Sequence, residues 1–278
     1  MLEYAFFRNA LLCVCVISVV SGLVGTYIVV RRQVAVAGGI THACFGGLGI
    51  GAWSGVSPVA CAAIVAVAAA VGVERMSRHE NVRSDSAVAV MWALGMAVGV
   101  FFVFLTPGYV PELTAFLFGN ILTISTADLW VSAAYMLMLC IYCTVRYRYV
   151  VAVAFDADFA RVLSLPVNRI SMTMTVLTAI GIVLTIKMVG VMLLMSMMSL
   201  PQLTAERVTR RIAPMALWSV AITFVASMSG LWISSVVDVP CSALIVLLFG
   251  VIYMLRRCYE LVTKSEKSDL THINTDKS

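Results

Sequence analysis

The sequence predicts an all-α protein, a polytopic bundle of about eight or nine membrane-spanning helices, and three observations lead there. The 278 residues are 62% hydrophobic and only 12% charged, about half the charge content of a water-soluble domain. Several apolar runs reach or exceed the roughly 20 residues that a helix needs to cross a bilayer, and no alternating segments recur as barrel strands would. The basic residues fall between these runs, almost all in alternate loops, as they do in membrane proteins.

Apolar runs place the spans at residues 9–30, 34–54, 57–74, 86–106, 129–149, 170–186, 188–200, 212–236 and 240–255. The first outlasts the core of a signal peptide and is read as retained. The second contains a stretch from Gly38 to Gly51 with six glycines and one histidine, and no Asp, Glu, Lys or Arg. At helical spacing Gly38, His42 and Gly46 share a face, while Gly47, Gly51 and Gly55 form a second smooth ridge. With Gly39, they predict close approach of neighbouring helices. His42 falls near the middle of the span, where an ionisable side chain needs a partner or a task.

The loop over residues 74–85 is charged and solvated, and His79 in it reads as a surface residue. Beyond span four, Thr106-Pro107-Gly108-Tyr109-Val110-Pro111-Glu112 marks an outside turn. Residues 116–122 are apolar but too short to cross, so they form a re-entrant piece or extend span five; Asn120 within them needs a hydrogen-bond partner. After span five, Asp156 and Asp158 cap a short helix that Pro166 ends.

Spans six and seven flank Lys187 and Gly190 and could be one long helix, but charge favours two. With nine spans, 17 of the 19 Lys and Arg residues lie on one side, leaving Arg8 and Lys187 on the other. With the two merged, the balance becomes 9 against 9 with Lys187 inside the bilayer. The positive-inside rule therefore predicts an outside N-terminus and a cytoplasmic C-terminus.

Between spans seven and eight, Pro201 takes a first-turn position in a short helix followed by Arg207, Arg210 and Arg211. This segment either docks into a partner or lies as a snorkelling basic loop on the lipid surface. Asp238 sits in the last outside turn. A transmembrane domain over residues 1–257 is then followed by a polar tail, 258–278, expected to be disordered and cytoplasmic.

Much chemistry is excluded. The chain has no G-x-x-x-x-G-K-[ST] loop, no G-x-S-x-G and no H-E-x-x-H, so it is not expected to be an enzyme. Its net charge of +5 has a plain source in the loops, and no nucleic-acid partner is implied. The cysteines lie mostly in apolar runs and read as small hydrophobes. Met188, Met192, Met195, Met197 and Met198 spread around a helix, which suits interface filling better than a copper(I) site. One intramembrane histidine, with no carboxylate deep in a span, is sparse for a proton-coupled carrier.

The chain resembles the membrane permease subunit of bacterial ABC importers for divalent metals, closest to the zinc branch. The resemblance runs from Tyr4 to about Leu255. It rests on residues 38–49, on Thr106-Pro107-Gly108-Tyr109-Val110-Pro111, on residues 116–122 and 155–161, and on residues 187–194 with Leu200-Pro201 behind them. It implies a second permease subunit, usually in a homodimer, two cytoplasmic ATP-binding subunits and an extracytoplasmic metal-binding protein. No tightly bound cofactor is implied, and zinc would be the transported ion. By this resemblance Pro201, Gln202, Thr204, Arg207, Arg210 and Arg211 look like a coupling helix, with Asp156 and Arg161 in a secondary contact. His42 and Asn120 would line the path, and Glu112 and Asp238 its outer mouth.

Two positions depart from the family. In the manganese branch an Asp typically stands one turn before the histidine, where this chain has Gly38. Imidazole without that carboxylate favours zinc over manganese or iron. Cys241-Ser242 replaces a frequent Ser-Gly pair and has no implied role. A secondary carrier working alone and a siderophore or cobalamin permease are the alternative readings.

Overall fold

A computed structural model describes residues 5–77, 84–107, 119, 121, 124–237 and 239–275. Among these, eleven α-helices follow in order: α1 (Ala5–Val30), α2 (Val34–Ser54), α3 (Pro58–Met76), α4 (Ser84–Leu105), α5 (Thr126–Val145), α6 (Tyr147–Phe155), α7 (Ala157–Val162), α8 (Val167–Met197), α9 (Leu200–Glu206), α10 (Ile212–Val237) and α11 (Cys241–Thr275). Eight stretches of the described residues are long and apolar enough to cross a bilayer, the longest being the 40 residues Val167–Glu206.

Local chemistry sets the ends of these helices. Gly55, at φ 70°, closes α2 in the left-handed conformation, the usual role of a glycine just past a helix. Pro58 then opens α3, where its missing N–H costs nothing. Ser125 caps α5: its hydroxyl accepts from the Asp128 N–H at 3.2 Å and donates to the Asp128 carboxylate at 3.0 Å. Asp156 Oδ1 accepts from the N–H groups of Asp158 and Phe159 at 3.0 and 2.9 Å, so the short helix forms as its sequence predicts. It ends earlier than expected, at Val162, and Pro166 stands instead at the start of α8.

Backbone contacts fix the helix directions. Gly47 lies against Ala62 and Gly51 against Pro58, so α2 and α3 are antiparallel. Gly46 meets Gly95 and Gly49 meets Gly99, so α2 and α4 run parallel and form the most extensive helix pair among the described residues. Gly22 meets Val220 across α1 and α10, and Gly230 meets Ile245 across α10 and α11. α1, α2 and the Val167–Glu206 stretch are largely buried, whereas α3, α4, α5, α10 and α11 turn much of their apolar surface outward.

The Val167–Glu206 stretch is not one straight rod. Near its start, Ser171 bonds to Arg31 at the end of α1. Lys187 bonds to Asp128 at the opposite end of the bundle, 2.5 Å away. Glu206 returns to a groove that Arg31 also lines. The chain therefore travels out and back, turning at Gly190, whose φ of 79° and ψ of 169° lie outside helical space. Gly119 supports the turn: a Cβ there would sit 2.0 Å from the Val189 carbonyl oxygen. Hydropathy merges the two limbs because nothing polar but Lys187 separates them. Among the described residues, this turn divides the longest of the eight stretches into two limbs.

The last helix departs from expectation. α11 continues to Thr275, where disorder is expected from residue 258. The segment from Tyr259 to Thr263 has no Gly or Pro to end a helix. Glu260 in it bonds to Arg207, so the body of the protein extends past Arg257.

Candidate functional site

Two regions gather the residues that the sequence singles out. The first is the flank formed by α2 and α4. Glycines bring the two backbones together: a Cβ on Gly49 would lie 2.5 Å from the Gly99 carbonyl oxygen, and one on Gly95 2.6 Å from that of His42. Gly46 faces α4, and Gly47 and Gly51 face α3, while Gly39 lies against Trp92 and Val88. Such small-residue seams let transmembrane helices gain van der Waals contact without a hydrophobic driving force.

His42 emerges from this seam half-buried, its ring stacked at a tilt on Trp92 with centroids 5.3 Å apart. Trp92 is itself 40% exposed, so the histidine sits on a flank of the chain and not in a channel enclosed by it. Gly38, one turn earlier, is shut in: a Cβ there would meet Trp92 Cζ2 at 2.7 Å and Met195 Cε at 2.9 Å. Among the described residues no group of three His, Cys, Asp or Glu side chains converges as a metal cage. Met188, Met197 and Met198 are buried while Met192 is exposed, so these thioethers do not share one direction. All eight cysteines are free.

The second region is the end of the bundle that carries Arg31, Arg146 and Arg207. A groove of about 1020 Å³ opens there, walled by Arg31, Arg32, Phe155, Leu203, Arg210 and Met215 among others. Residues 155–161 and 200–211, far apart in sequence, thus flank a single groove. Phe155, Phe159, Val162 and Leu163 beside it are each more than half exposed.

The side chains of the expected coupling helix divide sharply. Pro201, Gln202 and Thr204 are buried inside the chain. Gln202 Nε2 donates to the carbonyls of Ser21 and Met197 at 2.9 and 3.0 Å, tying α9 to α1. Gly25 makes room for that amide. A polar side chain at membrane depth finds its partner on a neighbouring helix rather than outside. Arg210 and Arg211 are exposed, and Arg207 is partly so. Asp156 is occupied by the α7 cap, and Arg161 pairs with Asp158. Asn120, Glu112 and Asp238 lie outside the described residues.

One cluster escapes sequence reading. Glu74, in the last turn of α3, is only 7% exposed and accepts from Ser171 Oγ at 2.5 Å and Thr175 Oγ1 at 3.3 Å. Arg31 stands 3.9 Å from it and donates to Tyr27 Oη and Ser171 Oγ at 2.9 and 2.6 Å. This network joins α1, α3 and α8 at the basic end. The available signal was a carboxylate at a helix C-terminus, where the dipole disfavours it and a cationic partner is required.

The described residues form a multi-pass helical membrane bundle with glycine seams and a groove at its basic end, and the class it belongs to is given by its family. The model of the ABC 3 transport family matches residues 3–260, and the chain belongs to that family. It is the membrane-embedded part of a transporter and not itself an enzyme. A probable metal transport system membrane protein of Chlamydia trachomatis is 30% identical, covering 93% of this chain and 92% of that one. The manganese transport system membrane protein MntC of Halalkalibacterium halodurans is 27% identical over 92% of this chain and 87% of its own. PsaBC from Streptococcus pneumoniae, solved in complex with Fab, contains a chain of the same fold: TM-score 0.81, 23% identity, 91% of each chain covered.

Proposed function

We propose that this chain is the permease of an ATP-driven importer that carries a divalent metal ion past His42 into the cytoplasm, with zinc as its cargo. One observation supports this most: residues 155–161 and 200–211 flank the same groove at the basic end, the arrangement a permease needs to receive an ATPase. The positive-inside rule then turns the basic end to the cytoplasm and the start of α1 outward. Because His42 lies on a flank, the path beside it needs a second surface, which a second copy of the chain supplies. An extracytoplasmic metal-binding protein delivers the ion at the opposite end; by the family resemblance Glu112 and Asp238 would draw in the cation and Asn120 would contact it.

Zinc rests on the donor set. His42 offers imidazole, and the enclosed Gly38 offers no carboxylate beside it. Manganese is the second reading, favoured by the name of the Halalkalibacterium relative; iron follows by the same logic.

The test is uptake of radiolabelled zinc and manganese by metal-starved cells with and without the gene, each ion competed by an excess of the other. Loss of zinc uptake that manganese does not compete is the expected result. His42→Ala then lowers uptake by about tenfold or more, with the ATPase subunits still bound. Loss of manganese uptake reassigns the cargo, and loss of neither overturns the reading.

A further inference from the structure

Beyond its apolar part, α11 lies against the loop that joins α9 to α10, and three kinds of contact hold the two together. Glu260 accepts from Arg207 Nη1 at 2.6 Å, and Arg257 stands 3.7 Å away as a second cation. Arg256 Nη2 donates to the Arg207 carbonyl at 2.9 Å. Arg207 is the residue that closes α9, so this contact places a cation at the negative end of that helix. The Arg207 guanidinium also lies over Tyr253, 5.6 Å from the ring centroid, and its Nη2 donates to the Tyr253 hydroxyl at 3.5 Å.

Tyr253, Arg256 and Glu260 recur at i, i+3 and i+7, a single face of α11. Arg207 and Glu260 are 27% and 23% exposed, so their ion pair alone holds the loop weakly, and the ring and carbonyl contacts of Tyr253 and Arg256 add to it. The loop continues the returning limb of the Val167–Glu206 stretch. Higher on that limb, Met195 touches Gly38, one turn from His42. A displacement at Arg207 is thus joined by packed helix to the neighbourhood of the histidine.

We propose that this face of α11 is a strut that positions the α9–α10 loop, with Glu260 as the positioning residue. It presents Arg210 and Arg211 to the ATPase in a fixed register, so that movement of the ATPase passes into α9 and is not lost in the loop. The proposal rests on the reading of this loop as an ATPase contact.

The test uses the whole complex, permease with its ATPase subunits and delivery protein, in lipid vesicles, and measures metal ions imported per ATP hydrolysed. Glu260→Gln is expected to lower that ratio by about fivefold while ATPase subunits still co-purify. The exchange Arg207→Glu with Glu260→Arg keeps the pair, and is expected to recover more than half of the loss seen in either single variant. It also separates positioning from packing if a single variant assembles poorly. A wild-type ratio in Glu260→Gln, or an exchange no better than the single variants, overturns the strut. Uptake by the wild-type complex without ATP is a different result: it overturns the proposed function, and the strut with it.

Discussion

At the scale of single residues, Gly38 sets what can accompany His42. A side chain there meets the ends of the Trp92 and Met195 side chains, which must shift to admit it. Gly38→Asp is expected to lower the yield of folded protein, because overpacking costs about 1–3 kcal/mol and adds a buried carboxylate. Adding Trp92→Ala relieves the clash and shifts competition in uptake towards manganese, which suits a carboxylate. Yield from size-exclusion profiles and uptake with both ions check the two steps. The pairing of Gly38 with His42 was legible from a spacing of four along one helix. Trp92 was not, because its place beside them follows from how α4 packs. Glu74 escaped for a related reason: its partners Arg31, Ser171 and Thr175 lie on two other helices.

At the scale of elements, the glycine seams make a sharp contrast testable. Gly49 lies where a Cβ would press on the Gly99 backbone at 2.5 Å, whereas a Cβ on Gly72 would meet nothing within 4 Å. Gly49→Val is expected to separate α2 from α4 and lower the unfolding temperature in detergent. Gly72→Ala is expected to be neutral or to stabilise by about 0.5–1 kcal/mol, since alanine loses less entropy in a helix. Thermal unfolding of both variants decides it. The ridges themselves were legible from period, but the helix that each one meets was not. Asp156 capping α7 was local and therefore readable, whereas Gly55, expected to continue the ridge of Gly47 and Gly51, instead closes α2, and a Cβ there would meet nothing within 4 Å. In α9, Pro201, Gln202 and Thr204 turn inward, as polar side chains at membrane depth turn towards neighbouring helices.

At the scale of the whole molecule, the charge pattern anticipated the path better than hydropathy. Lys187 stands among apolar residues, yet it bonds to Asp128 at the end opposite Arg31, which is where the balance of basic residues requires it. The exposed apolar patch on α6 and α7 lay beyond sequence reading, since Phe159 and Val162 resemble core residues until the fold leaves them uncovered. Phe159→Asp is expected to abolish co-purification of the ATPase subunits. The chain's own stability should stay within about 0.5 kcal/mol, as for most exposed substitutions. Pull-down with tagged permease, beside its thermal unfolding, measures both. An unchanged pull-down would remove α7 from the docking surface.

The out-and-back course of residues 167–206 has a consequence for biogenesis. The returning limb before α9 is shorter than the roughly 20 residues that insert as an independent helix, so it cannot partition into lipid by itself as it leaves the ribosome. The outgoing limb is long enough to insert first, and the returning limb enters against it through the turn at Gly190. The amide of Gln202 finds its acceptor on Ser21, so the hairpin is completed only against an α1 already in place. Synthesis order and membrane assembly order therefore coincide here: the helix made first supplies the dock that the latecomer needs.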